Sequence, residues 1–140
     1  MTPSLEPQPL APALEAAEKA GWTTVRLDLD GVRSKAELMR RCGDALRLPD
    51  WFGGNWDALA DCLIDLSWLP DAAGRLVAVT SWRGFADARP RDWQVLVEIL
   101  EEAVDFWRSQ DEGPALTVLL ADSAAAEAPP RAPRLKRRRG

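Results

Sequence analysis

The apolar positions of this chain change period several times, and each change marks an element. In "TTVRLDLDG", Val25, Leu27 and Leu29 alternate with polar residues and stop at Asp30-Gly31, the pattern of a strand with one buried face closed by a turn. From Ser34, a good helix cap, the period lengthens. Leu38, Cys42, Ala45 and Leu46 then share one side of a helix predicted over roughly residues 35–46. Asn55 is a second cap, and the helix it opens runs from Trp56 to about Leu66 with Leu59, Cys62, Leu63 and Leu66 as its buried stripe. "RLVAVTSW" and "ALTVLLAD" are nearly continuous apolar runs, which predicts central parallel strands covered on both faces. Between them, after a loop over "RGFADARP", residues 91–111 regain a helical period through Leu96, Ile99, Leu100, Ala103, Phe106 and Trp107. The order strand, helix, helix, strand, helix, strand implies an α/β fold, a small three-stranded parallel sheet packed against three to four helices.

The ends of the chain behave differently. Residues 1–13 hold four prolines without periodicity and read as a disordered leader, followed by a short helix over "LEAAEKA". The folded domain is expected over residues 14–122 and a disordered basic tail over 123–140. A length of 140 residues with 46% apolar content suits one such domain. No run approaches the roughly 18 apolar residues of a membrane span, and no basic-then-apolar export signal is present, so no membrane partner is expected and the expected location is cytoplasmic. Cys42 and Cys62, in a chain without histidine, offer neither zinc spacing nor a disulfide framework. Both are expected reduced and buried, and no cofactor or metal is expected.

The net charge of −4 conceals a division. From Pro129 onward there are six basic residues and no acidic one, so the preceding residues carry 22 acidic against 12 basic groups, a net charge of −10. Such a field repels nucleic acid and accelerates encounter with a basic partner.

One stretch concentrates the candidate chemistry: "LPDWFGGNWDALADCL", residues 48–63. Asp57 and Asp61 stand one turn apart, about 40° around the helix axis from each other and opposite the buried stripe, and Asp65 extends the row. Like charges at this spacing destabilise a helix by about 0.2–0.5 kcal/mol per pair. A row of this kind is either a solvated face or a working surface. Trp51 and Phe52 precede it in a turn opened by Gly53 and Gly54, and such aromatics either bind a partner or tuck back onto the core. On the later helix Glu98, Glu101 and Asp105 lie opposite the apolar stripe, an ordinary solvated face unless it adjoins the first row.

The same stretch, with its proline, aromatic pair, glycines, asparagine and aspartates four apart, resembles the barstar family of barnase inhibitors. The resemblance extends over about residues 24–121 through the flanking strands, "WLP" and the long helix. It implies a three-stranded parallel sheet with helices, and a non-enzymatic inhibitor that plugs a basic ribonuclease site with an acidic helix and the loop before it, one to one. By position, Trp51 matches an aromatic contact, Asp57 and Asp61 the two helix carboxylates, Glu101 a supporting glutamate, and Asp105 another acidic position. Phe52, Gly53 and Asn55 complete the candidate partner-binding set. Asp61 would be the plug, its carboxylate standing in for a substrate phosphate among arginines and lysines. Ala60 stands where barstar has a tryptophan, Gly54 where it has a glutamate and Trp51 where it has a tyrosine. The target is therefore a basic ribonuclease or related nuclease toxin, with barnase as one candidate.

Two other functions compete. A carboxylate-dependent metal hydrolase would use the same aspartates, yet the chain lacks histidine, tyrosine and a glycine-rich phosphate loop. Nucleic-acid binding through "RLKRRRG" would be electrostatic and unspecific, because no aromatic is interleaved with the basic residues. The tail is also cationic enough to visit the acidic domain and compete with a basic enzyme. Deleting residues 129–140 is accordingly expected to raise the association rate with a basic ribonuclease at low ionic strength, measured by stopped flow. An unchanged or slower rate contradicts that role.

Overall fold

The computed structural model describes residues 7–49, 52–111 and 113–121. In chain order the elements are β1 (Pro7–Gln8), α1 (Leu10–Lys19), β2 (Thr23–Asp28), α2 (Lys35–Leu46), α3 (Trp56–Leu63), β3 (Gly74–Thr80), α4 (Arg83–Ala88), α5 (Pro90–Arg108) and β4 (Ala115–Ala121). The strands form one parallel sheet in the order β1-β4-β3-β2, which is the expected α/β class. No helix among the described residues is long and apolar enough to cross a membrane.

Burial explains the strand patterns. β3 is buried at every position because both its neighbours are strands and both its faces are covered. β2, at the edge, keeps the alternation of a strand buried on one face, with Val25 and Leu27 inside. One face of the sheet contributes Leu27, Val77, Val79, Val118 and Leu120 to the main core, packed by Leu38, Leu59, Leu63, Phe85 and Leu96 from the helices. The opposite face offers Leu76, Ala78, Leu119 and Ala121, covered by Leu10 and Ala17 of α1. Gly74 opens β3 where the Trp22 ring crosses the backbone, and a Cβ there would meet that ring at 2.3 Å.

Several expectations need correction. The sheet has a fourth strand, because Pro7 and Gln8 pair with Leu120 and Ala121. Two residues are too short to show a period, and proline is tolerated in an edge strand. α1 begins at Leu10, with Pro12 in the first turn, where its missing N–H leaves no hydrogen bond unmade. Residues 7–13, expected to be leader, thus belong to the fold, while residues 1–6 and the tail 123–140 lie outside the described residues. "RGFADARP" is not a loop: its first six residues form α4, which buries Phe85. The described helices number five rather than three or four. α3 stops at Leu63, three residues early, because the N–H groups of Asp65 and Leu66 turn back to the Cys62 carbonyl and Leu66 takes a φ of +56°.

Three tryptophans close the ends of elements. The indole N–H of Trp68 donates to the Leu46 carbonyl at the end of α2 (3.0 Å), and that of Trp107 to the Leu63 carbonyl at the end of α3 (2.8 Å). Trp82 donates to the Ala121 carbonyl at the end of β4 (2.8 Å). Terminal carbonyls lack partners within their own element, so each indole satisfies an orphan acceptor while its ring packs on the core.

Both cysteines are free and buried, as expected from their helix faces. Burial pushes the Cys42 thiol up to about 12, so thiolate is scarce near neutrality. Neither thiol of the native protein should react with a thiol reagent within minutes at pH 7.5, whereas both should react in denaturant. Rapid native labelling would contradict the placement. Trp107→Phe, which keeps the ring and loses the donor, should cost about 1 kcal/mol in urea unfolding and raise amide exchange at the end of α3. Unchanged exchange there would show that the indole does not hold the helix.

Candidate functional site

The site is built on a helix too short to persist alone. α3 has eight residues, below the length at which isolated helices are stable, so its seat must hold it. At its start the Asn55 side-chain carbonyl accepts the Ala58 N–H at 2.8 Å, the predicted cap. Its inner side buries Leu59, Cys62 and Leu63 completely or nearly so. At its end the Trp107 indole ties it to α5, the neighbour it packs against.

The outer side carries the carboxylates. Asp57 and Asp61 are both exposed, one turn apart. Asp57 occupies the first turn, where the positive end of the helix dipole favours a carboxylate; Asp61 sits mid-helix without that benefit. Cys62 records the local field. Burial pushes its thiol up, and the carboxylates of Asp61 and Asp65 push it further in the same direction. Asp65 does not extend the helical row as predicted, because the helix ends before it and its carboxylate accepts the Ser67 N–H at 3.2 Å in a turn.

The loop before α3 runs back along α2. Arg47 ends α2 with a φ of +54°, and the Phe52 N–H donates to the Pro49 carbonyl at 2.9 Å. Phe52 is half-buried against the core, its ring 4.0 Å from where a Cβ on Gly43 would stand. Of the two readings left open for this aromatic, the inward one describes most of its surface. Trp51 lies outside the described residues. Gly53 is exposed, and Gly54 adopts a φ of +70°, a conformation that disfavours any other residue. Asn55 is exposed with its carbonyl used by the cap.

α5 supplies the second acidic set. Glu101 is half-buried, and Asp105 is exposed and paired with Arg108 at 3.1 Å. The structure brings the helices carrying the two sets into contact, but Asp105 is already engaged by a cation. That pair is exposed and weak, so an incoming cation can replace Arg108 at little cost.

Two features escaped the sequence. Lys35 places its Nζ 5.5 Å from the centre of the Trp56 ring, joining the starts of α2 and α3. Ile64, the residue after α3, remains 39% exposed. Its seven-residue spacing from Asp57, about 20° apart around a helix axis, was the sequence signal for that exposure. Among the described residues there is no group of three His, Cys, Asp or Glu side chains arranged to hold a metal ion. What the site offers is an exposed pair of carboxylates on a fixed helix, able to accept charge-assisted hydrogen bonds from a cationic surface.

Comparison with known proteins bears on this arrangement. A search of curated proteins gives no significant match. The family model described as Barstar (barnase inhibitor) matches residues 22–121, from the residue before β2 to the end of β4. Asp57, Asp61, Glu101 and Asp105 all fall inside that span, and β1 and α1 precede it. With the parallel sheet and the capped acidic helix within the match, this chain belongs to the Barstar family.

Proposed function

We infer that the protein is an inhibitor of a barnase-type basic ribonuclease, acts in the cytoplasm, and binds its target one to one without catalysing a reaction. The observation that carries this reading is the pair Asp57 and Asp61, exposed on a helix whose other side is locked into the core. A ribonuclease site holds cations arranged for phosphate, and two carboxylates at fixed spacing offer them an anion that cannot be cleaved. Fixing the helix beforehand lowers the ordering cost of binding. Asp61 is the plug, Asp57 its partner, and Glu101 and Asp105 extend the acidic surface from α5. Phe52, Gly53 and Asn55, in the loop that leads into α3, are the neighbouring candidates for partner contact, and Trp51 is a candidate by the family resemblance alone. The net negative charge ahead of the tail draws a basic enzyme in.

Asp61→Ala is the direct test. Removing Asp61 relieves a like-charge pair, so the fold should be unharmed or slightly stabilised by circular dichroism and urea unfolding. Inhibition of barnase should fall sharply, because truncation leaves desolvated enzyme cations without partners, a loss of roughly 2–5 kcal/mol or more. Asp57→Ala should weaken inhibition too, and Glu101→Ala less, the loss appearing mainly in the dissociation rate. A folded Asp61→Ala that inhibits barnase as tightly as the wild type would overturn the reading.

A further inference from the structure

For most of its length β4 has a strand on one side only. β3 runs beside Ala115 to Leu120, whereas on the other side β1 meets just Leu120 and Ala121. Successive residues of a strand turn their backbone groups to opposite sides. The Ala115 N–H donates to the Ala73 carbonyl just ahead of β3 (3.4 Å), so Ala115, Thr117 and Leu119 serve that neighbour. Leu116 and Val118 therefore turn their N–H and C=O groups to the open side, where no strand meets them among the described residues. A row of unpaired backbone groups is a template for a further strand. Room for one is left on both faces. A groove of about 320 Å³ on the α5 side is lined in part by Val104, Arg108, Leu116 and Val118, and one of about 290 Å³ on the α1 side by Gln8, Ala13, Trp22 and Leu119. Thr117 and Val118 line both, so the open edge is the rim between them.

The register of β1 identifies what fits there. β1 is parallel to β4, with Pro7 opposite Leu120 and Gln8 opposite Ala121. Counting back residue by residue sets Glu6 opposite Leu119, Leu5 opposite Val118, Ser4 opposite Thr117, Pro3 opposite Leu116 and Thr2 opposite Ala115, which is the whole open length. These five residues lie outside the described ones. Their sequence suits the position in two ways. An edge strand tolerates proline where its missing N–H faces away from the sheet, and Pro3 shares the parity of Pro7, already seated in β1, so the donors toward β4 fall on Thr2, Ser4 and Glu6. Residues opposite each other share a face of the sheet, so Leu5, the large apolar residue of the five, falls beside Val118 over the α5-side groove. We propose that residues 2–6 continue β1 along the open edge of β4, with Leu5 in that groove, and so close the sheet against a strand from another molecule. The inhibitor reading is not needed for it.

Amide exchange of the full chain, followed by NMR, tests the proposal, with Thr117 and Leu119 as internal references. In the wild type the Leu116 and Val118 N–H groups should exchange slowly, and nuclear Overhauser contacts should join Leu5 to Val118. Ser4→Pro removes an inward donor, and deleting residues 1–6 removes the added strand. Each change should speed exchange at Leu116 and Val118 by about tenfold or more and leave Thr117 and Leu119 within about twofold, with the circular dichroism of the wild type. Free exchange at both amides in the wild type overturns the proposal. So does protection that survives both changes, and sedimentation as a dimer would then assign the edge to a second copy of the chain.

Discussion

Everything the site can do depends on how α3 is seated. Eight residues with two like charges on one face are a poor helix by every local measure. The fold overrides that deficit with a cap from Asn55, a fully buried Leu59, Cys62 and Leu63, and the Trp107 indole on the last carbonyl. Packing contributes more than the carboxylate repulsion costs, because burying one leucine side chain is worth about 1.5–3 kcal/mol against a few tenths for the repulsion. The repulsion remains in the free protein, available to be relieved when cations approach. A surface that is strained alone and neutralised by its partner is one way to make binding selective for charge.

The same economy governs the remaining elements. Trp68 and Trp82 hold the ends of α2 and β4 as Trp107 holds α3, so three of the tryptophans among the described residues serve the backbone as donors. Their rings fill the core while their N–H groups meet terminal carbonyls. β1 and α1 precede the matched family span. They cover the second face of the sheet with alanines and Leu10, leaving α2, α3 and α5 on the face that carries the acidic surface.

Where period and cap agreed, the sequence was readable. β2, β3, β4, α2 and the start of α3 followed from alternation, continuous apolar runs, and Ser34 and Asn55. What escaped lacked length or depended on distant contacts. Two residues of β1 and six of α4 cannot show a period, and the prolines before residue 13 pointed to a leader although Pro12 sits where a helix tolerates it. The end of α3 depended on backbone turning at Leu66, with its φ of +56°, which no propensity announces. That misplaced end hid the turn role of Asp65. The carboxylate pair was legible because helical spacing alone sets it, and the family resemblance carried by residues 48–63 agrees with the family match.

The central claim is that the acidic helix occupies the catalytic site of a ribonuclease as an uncleavable anion. Titrating barnase-catalysed RNA hydrolysis with the wild-type protein tests it most directly, at several RNA concentrations and two ionic strengths. At low salt activity should fall linearly to zero at one equivalent, and at high salt, where binding is weaker, the apparent inhibition constant should rise with the RNA concentration. Full activity in the presence of excess protein, or an apparent inhibition constant at high salt that does not change with RNA concentration, would contradict the account.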